Sequence, residues 1–465
     1  MALIRLSGEL KMTLVEQIVE GLGRLIDQGV LRPGVRMTSI RVFAQQHKVS
    51  AHTVAEAYER LVALGHLESR PRSGFFVKRP RRSSSRVPVQ PSFAKAFDHL
   101  WQLRAHLASD NGLLNVSSGR LPSAWLDSEI LRVSLKSAAT RLDTDLMQYG
   151  DPYGYVPLRD LLQSRLGDLG VHTPASQLLL TDGATQAVGL ILRYVARPGD
   201  AVMVDDPGYF NLFSNLQLQG IDALPVTRTA EGPDLVQLEA LAREYRPKVM
   251  FTQSVLHTPT GSTLAPGHAY RLLRLAEQYD FLIVENDAYA DFLNVPTTRI
   301  AALDQLQRVI YVGSFSKTLS AAARVGFIAA SEKVIHDLCS LKMITGITSS
   351  QLNERLVFHA LTEGHYRRAI ERLRSRLEEH RAASESQLES LGFELFCRPL
   401  GGKFVWARHP AFPSSDELWR RAAASGIVLA PGKVFRSGMP ETPWFRLNVC
   451  YTQEPGWVNF LHSLG

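Results

Sequence analysis

Lys317 stands in the segment RVIYVGSFSKTLSAAARVGF, residues 308–327, where an apolar run stops at Gly313 and delivers one lysine between Ser314, Ser316 and Thr318, with Arg324 seven residues on. A lysine amine placed this way can condense with an aldehyde, and the hydroxyls with the guanidinium suit an anion such as a phosphate. Three further segments offer matching chemistry. Gly183-Ala184-Thr185 opens a helical pattern, where free backbone N–H groups and the helix dipole favour a phosphate. Tyr209 offers a flat face for a ring, Asn286 or Asp287 a polar partner for a ring nitrogen, and Tyr289 a phenol for a ring hydroxyl. A phosphate, an aromatic ring with nitrogen and hydroxyl, and an aldehyde together describe pyridoxal 5'-phosphate.

These residues close the ends of short apolar runs: LLLTDGATQ (178–186), AVMVDDPGYF (201–210), VMFTQSVLHTPTG (249–261), FLIVENDAY (281–289) and VIYVGSFSK (309–317). The runs alternate with amphipathic helical stretches, which predicts an α/β fold with a mostly parallel sheet covered on both faces. Ligands of such sheets gather beyond the carboxyl ends of the strands, so five strand ends can build one site. The tract from 352 to 390 reads as a solvated connecting helix leading to a small C-terminal α/β subdomain, about 352–465.

The chain's positive charge lies elsewhere. Of a net +7 over 465 residues, residues 1–86 carry 15 Lys and Arg against 7 Asp and Glu, which leaves the remainder slightly acidic. Residues 12–28 place Leu14, Ile18, Leu22, Leu25 and Ile26 at helical spacing with Gly29 as a stop. Two short helical patterns follow Pro33-Gly34, the second capped by Ser50, and then HLESRPRSGFFVKR alternates like two strands around a turn. Three helices and a basic hairpin predict a winged helix-turn-helix. His52 and Thr53, just after Ser50, are placed to reach base edges in the major groove. Arg36, Arg41, Arg70 and Arg72 are placed to hold phosphates of double-stranded promoter DNA.

Both halves carry family resemblances. Residues 10–79 resemble the GntR family of bacterial DNA-binding domains through Pro33-Gly34, SIR at 39–41, VSAHTV at 49–54, AYERLVALG at 57–65 and SGFFV at 73–77, with Met37-Thr38 where that family usually has Leu-Pro. From about 110 onward the chain resembles the fold-type I aminotransferases, pyridoxal-phosphate proteins, through YGDPYGYVPLR at 149–159, TDGATQA at 181–187, DPGYF at 206–210, HTPTG at 257–261, ENDAYADF at 285–292, SFSKTLSAAARVGF at 314–327, PLGGKFVW at 399–406 and FRLNVC at 445–450. The combination resembles the MocR class of bacterial regulators. This resemblance implies that Lys317 joins the cofactor's aldehyde and that Arg324, Ser314, Ala184 and Thr185 contact its phosphate. It also makes Tyr209 the ring-stacking residue, Tyr289 the partner of the ring hydroxyl, and Arg446 the group for an amino acid's carboxylate. Tyr149 corresponds to a tyrosine that crosses to the neighbouring subunit's phosphate, which implies a homodimer with shared sites.

Two positions depart from that pattern. Thr258 stands where an asparagine usually contacts the ring hydroxyl, and Asn286 stands where an aspartate usually keeps the pyridine nitrogen protonated. Strand alternation is expected to point Asp287 away. An amide does not stabilise a protonated pyridine as a carboxylate does, so the site is expected to bind the cofactor and to turn over amino acids poorly.

The expected organisation is therefore a DNA-binding domain at 1–79, a Pro/Ser/Arg-rich linker at 80–105 and a cofactor-binding effector domain at 106–465, with an amino compound as a further effector. Cys339, Cys397 and Cys450 match no metal-ligand spacing, and no metal is expected. No apolar run reaches the length of a membrane span and the N-terminus lacks the pattern of a secretory signal, so a cytoplasmic location is expected.

Overall fold

The computed structural model describes residues 12–27, 30–31, 33–70, 73–78, 113–140, 147–293 and 295–464. Gly29, Arg72 and the linker at 80–105 lie outside the described residues. The chain divides into two compact units, Met1–Pro88 and Val89–Gly465.

The first unit is built from α1 (Leu14–Asp27), α2 (Ile40–His47), α3 (Ala51–Ala63) and the antiparallel pair β1 (Leu67–Arg70) and β2 (Gly74–Val77). Its small core takes the apolar stripe of each helix, with Ile18, Leu22, Phe43, Val54, Ala57, Tyr58 and Leu61 buried against Leu67 and Val77. Serine caps start both short helices: Ser39 Oγ accepts from Val42 N, and Ser50 Oγ accepts from Thr53 N at 3.0 Å. Met37-Thr38 is accommodated, since Met37 is buried and the Thr38 carbonyl accepts from the Tyr58 hydroxyl at 2.9 Å. The backbone at Arg36 pairs antiparallel with Phe76 at the edge of the hairpin.

The second unit centres on an eight-stranded sheet. Its strands are β3 (Leu178–Thr181), β4 (Ala201–Asp206), β5 (Asp222–Thr229), β6 (Val249–Thr252), β7 (Leu282–Asn286), β8 (Val309–Ser314) and β9 (Gly326–Ala329), in the order β3-β9-β8-β7-β6-β4-β5, with Gly232–Pro233 at the edge beyond β5. The run from β8 to β5 is parallel, and β9 lies antiparallel between β3 and β8. Buried apolar side chains cover both faces, as continuous runs such as Leu178–Thr181 and Val249–Thr252 require. Helices α4 (Ala184–Val195) and α5 (Phe210–Gln219) begin where β3 and β4 end.

A second, four-stranded antiparallel sheet contains β10 (Phe404–Arg408) and β11 (Phe445–Asn448) at its centre. It follows the 26-residue helix α6 (His365–Ser390). That helix is not simply solvated. It buries Tyr366, Ile370, Leu373, Leu377 and Leu388, and the Tyr366 hydroxyl meets Asp291 Oδ2 at 2.6 Å and Thr318 Oγ1 at 2.7 Å. Sequence reading missed this face because charged residues surround each apolar position. The early segment Leu114–Asn115 pairs with Ile427–Val428, and Asn448 N donates to the Val116 carbonyl at 2.7 Å, so the start of this unit is sewn to its C-terminal part.

Candidate functional site

All five strand ends named from sequence are strand ends in the structure, and two of them, those of β3 and β8, meet at one place. The register sets Ser314 opposite Gly326 and Gly326 opposite Thr181, which brings the end of β8 beside the start of α4. There Arg324 donates from Nη2 to the Asp182 carbonyl at 3.0 Å and from Nη1 to Ser316 Oγ at 3.1 Å, while Ser316 N donates to Ser314 Oγ at 3.2 Å. Gly183 has φ +83°, and a Cβ on it would lie 2.5 Å from Arg324 Nη2. The start of α4, the two serines and the guanidinium thus form one anion cradle, free of any side chain at Gly183.

Lys317 follows that cradle directly. Its amine donates to the Gly119 carbonyl at 3.4 Å, and its pKa is brought down from 10.5 to about 8 by burial first, then by Arg446, Arg324 and Arg120. A lysine in this state holds a useful fraction of free amine near neutral pH, as condensation with an aldehyde requires.

Tyr209, at the start of α5, and Asn286, at the end of β7, line one cavity together with Val188, Leu212, Gln253 and His257. Asp287 does not share it. Its Oδ2 accepts from Arg299 Nε at 3.0 Å and from the Tyr311 hydroxyl at 2.9 Å. Strand alternation separates the two neighbours as expected, and the carboxylate next to Asn286 is engaged elsewhere.

Tyr289 is buried, and burial raises its pKa. Thr258 is buried ahead of a cis peptide bond to Pro259. Its N–H donates to Gln253 Oε1 at 2.9 Å, and its side chain interacts with that of Tyr289. Arg446 lies at the centre of β11, donates from Nη2 to the Ser117 carbonyl at 2.7 Å and packs between Phe404 and Phe435, with burial pulling its pKa down to about 10. Tyr149 is not drawn into this group: its side chain is 78% exposed.

Sequence reasoning missed four contributors. Ser117, Gly119 and Arg120 come from a stretch with no strand-end signature, and Lys403 sat unremarked within the PLGGKFVW motif. It also missed a buried network under the site, in which Asp205 Oδ2 accepts from Thr252 Oγ1 at 2.7 Å and from Arg228 Nη1 at 3.2 Å, with His257 Nε2 at 3.5 Å. Burial, then Arg228, push the His257 pKa to about 4, so the imidazole is neutral.

In the first unit the side chains of Arg36, Arg41 and His52 are exposed, and Thr53 is half-buried. Ser50 is occupied as the cap of α3 and also meets Thr53 Oγ1 at 2.7 Å. Arg70 is held by Glu68 and lies over the Phe76 ring.

Residues 111–456 match the family described as aminotransferase class I and II, and residues 14–77 match the bacterial regulatory proteins of the gntR family. The chain belongs to the aminotransferase class I and II family. Fused to a GntR-type helix-turn-helix, it has the make-up of the MocR class. It is 27% identical to the uncharacterized HTH-type transcriptional regulator YdfD of Bacillus subtilis over 98% of this chain and 96% of that protein. It is 30% identical to the 2-aminoadipate transaminase of Thermus thermophilus over 69% of this chain and 81% of that enzyme. Among solved structures it is similar to LysN, the alpha-aminoadipate aminotransferase of Thermus thermophilus complexed with N-(5'-phosphopyridoxyl)-L-leucine, with a TM-score of 0.72, 26% identity, and coverage of 81% of this chain and 99% of that one. Among the described residues no helix is long and apolar enough to cross a membrane.

Proposed function

We propose that this chain is a transcription regulator that binds double-stranded promoter DNA through residues 10–79 and senses pyridoxal 5'-phosphate, or an amino compound reacting with it, at Lys317. The names of its relatives, a transcriptional regulator over nearly the whole length and a transaminase over the second unit, support both halves of the reading.

The observation that carries it is the joining of a half-buried, easily deprotonated Lys317 to the cradle of Gly183, Ser316 and Arg324. Gly183, Ala184, Thr185, Ser314, Ser316 and Arg324 would hold the phosphate, Tyr209 the ring face, and Thr258 and Tyr289 the ring hydroxyl. Bound there, the cofactor supplies an aldehyde for amines and a ring that accepts electrons. Asn286 orients the ring nitrogen without a negative charge, so the electron sink is weak and turnover is slow. Arg446 fixes a carboxylate on the incoming amino compound. The chain works as a homodimer in which Tyr149 reaches the neighbouring subunit's phosphate. Occupancy changes how the two DNA-binding modules are held, which requires the ligand to bind the two arrangements with different affinity.

Mixing the purified chain with pyridoxal phosphate should produce an absorption band that Lys317→Ala abolishes, and DNA footprints with and without the cofactor should differ. A band that persists in Lys317→Ala sinks the assignment. A second reading, a working aminotransferase carrying a DNA-binding module, is favoured by the buried Arg446 close to Lys317. Rapid multiple turnover with any amino acid would decide for it.

A further inference from the structure

Asp287 turns away from the cavity of Asn286 and Tyr209 and lines a larger one, of about 520 Å3, bordered by the helix Val156–Asp168, the stretch 290–299, β8 and α6. The two cavities share no lining residue. Of the residues assigned to the cofactor, only Ser314 borders the larger one.

Much of its wall is apolar, with Leu162, Leu166, Leu169, Leu293, Phe315 and Phe327. Three arginines also line it, and each is committed to an acceptor of the protein. Arg165 Nη2 donates to Asp291 Oδ1 at 2.7 Å, and Arg374 Nε donates to the Asp291 carbonyl at 2.8 Å. Arg299 donates from Nε to Asp287 Oδ2 at 3.0 Å and from Nη1 to the Thr297 hydroxyl at 2.8 Å. The acceptors are not used up in the same way. Asp287 is 2% exposed, and its Oδ2 takes both Arg299 and the Tyr311 hydroxyl, two groups that line the same cavity. Its Oδ1 is buried without a hydrogen-bond partner. A charged acceptor left bare in this way is costly, and a donor that reaches it recovers the cost. Asp168, exposed at the rim, adds a second negative charge.

We infer that this cavity is a second ligand site, for a lipophilic amine in its ammonium form. The ammonium N–H donates to Asp287 Oδ1, and the apolar body lies along the leucine and phenylalanine wall. An anion of the same shape is rejected, because the arginines are already held and Asp287 and Asp168 repel it. The volume suits a ring with a short side chain, within the ordinary range for small-molecule sites. No covalent bond forms, so the amine need not be primary, which separates this ligand from any amino compound that condenses at Lys317. The site stands apart from the proposed cofactor, and a chain that fails to take up pyridoxal phosphate should still bind the amine.

The probe is 4-bromo-N,N-dimethylbenzylamine, a tertiary amine that forms no imine with an aldehyde. Calorimetric titration of the full chain compares it with the neutral 4-bromobenzyl methyl ether and the anionic 4-bromophenylacetate. The amine should bind roughly tenfold or more tightly than either, as one charge-assisted hydrogen bond provides. Asp287→Asn should erase that preference. Since this variant leaves Arg299 buried beside an amide, Leu169→Trp, at a half-buried lining position, gives a second test: by filling the apolar part it should weaken the amine and the ether alike. Crystals of the native chain soaked in the amine should show the anomalous signal of bromine against Leu166 and Phe315, with no variant needed. Equal affinity for the three probes overturns the inference, as does amine binding unchanged in Leu169→Trp or a bromine signal only outside this cavity. The absorption band tied to Lys317 is read separately, so the cofactor assignment stands or falls on its own.

Discussion

Asn286 and Asp287 are consecutive residues that serve opposite sides of one strand: Asn286 lines the cavity shared with Tyr209, while the Asp287 carboxylate is fixed by Arg299 and Tyr311. The negative charge that would hold a proton on a ring nitrogen is therefore one residue out of place, and it is not free to move. Asn286→Asp puts it back. A gain of one pKa unit at the ring nitrogen corresponds to a factor of about 10 in the stability of the protonated form. The variant should raise the single-turnover rate of transamination by roughly 10-fold or more. Stopped-flow absorption with L-glutamate and L-leucine measures it. An unchanged rate would show that residue 286 does not limit the chemistry.

Gly183 and Arg324 occupy one space, and only a residue without a side chain leaves it open. Gly183→Ala sets a Cβ 2.5 Å from Arg324 Nη2 and imposes φ +83° on an L-residue, at a backbone cost of about 1 kcal/mol. The guanidinium must leave the Asp182 carbonyl and with it the cradle. Affinity for pyridoxal phosphate should fall by about 10- to 100-fold, the loss expected for one charge-assisted bond to the phosphate. Fluorescence titration gives the value, and operator binding by the cofactor-free chain should not change.

Lys317 loses its proton near pH 8 rather than near 10.5, with burial as the larger cause and Arg446 the next. Below that midpoint the amine is protonated and cannot attack an aldehyde, so the rate of pyridoxal phosphate capture should rise about tenfold per pH unit and level off above about 8. Arg446→Met removes one of the repelling charges but not the burial. Its midpoint should move upward, part of the way to the ordinary lysine value. Capture rates measured across the pH range, stopped with borohydride and counted by peptide mapping, separate the two curves. A midpoint unmoved by Arg446→Met would assign the shift to burial and to Arg324 and Arg120.

Much of this site was legible because local chemistry announces it. Strand ends that stop in hydroxyls, a glycine opening a helix, and an arginine seven residues past a lysine are short-range patterns, and backbone hydrogen bonding forces them into one crevice. Lys403 and Ser117–Arg120 gave no such sign. They reach Lys317 only because Leu114–Asn115 pairs with Ile427–Val428, and Asn448 clasps the Ser118 and Arg120 carbonyls. That joining is long-range, and in sequence a lysine after two glycines looks like a solvated turn residue. Arg228 was hidden in the same way, since nothing local tells a buried arginine from an exposed one. The apolar stripe of α6 was diluted by charged neighbours until Tyr366 was seen beneath the Lys317 loop.

In the DNA-binding unit the same residue types have different freedom, which orders their effects. Arg41 is exposed at the start of α2, whereas Arg70 is tied to Glu68 at 2.9 Å and lies 4.3 Å from the Phe76 ring centre. A guanidinium already paired must break that pair to reach a phosphate, so it contributes less to affinity. Arg41→Ala should weaken binding to specific and unrelated DNA alike and lower the slope of log affinity against log salt by about 1, while Arg70→Ala should lower it by less. Ser50→Ala should act through the helix instead: loss of its cap on α3 costs about 1 kcal/mol of stability and leaves base preference alone, whereas His52→Ala should relax the preference at one base position. Salt-dependent fluorescence anisotropy with specific and scrambled duplexes distinguishes the four variants. If Arg70→Ala flattens the salt dependence as much as Arg41→Ala, the Glu68 pair opens on DNA and the hairpin grips the backbone as firmly as the helices do.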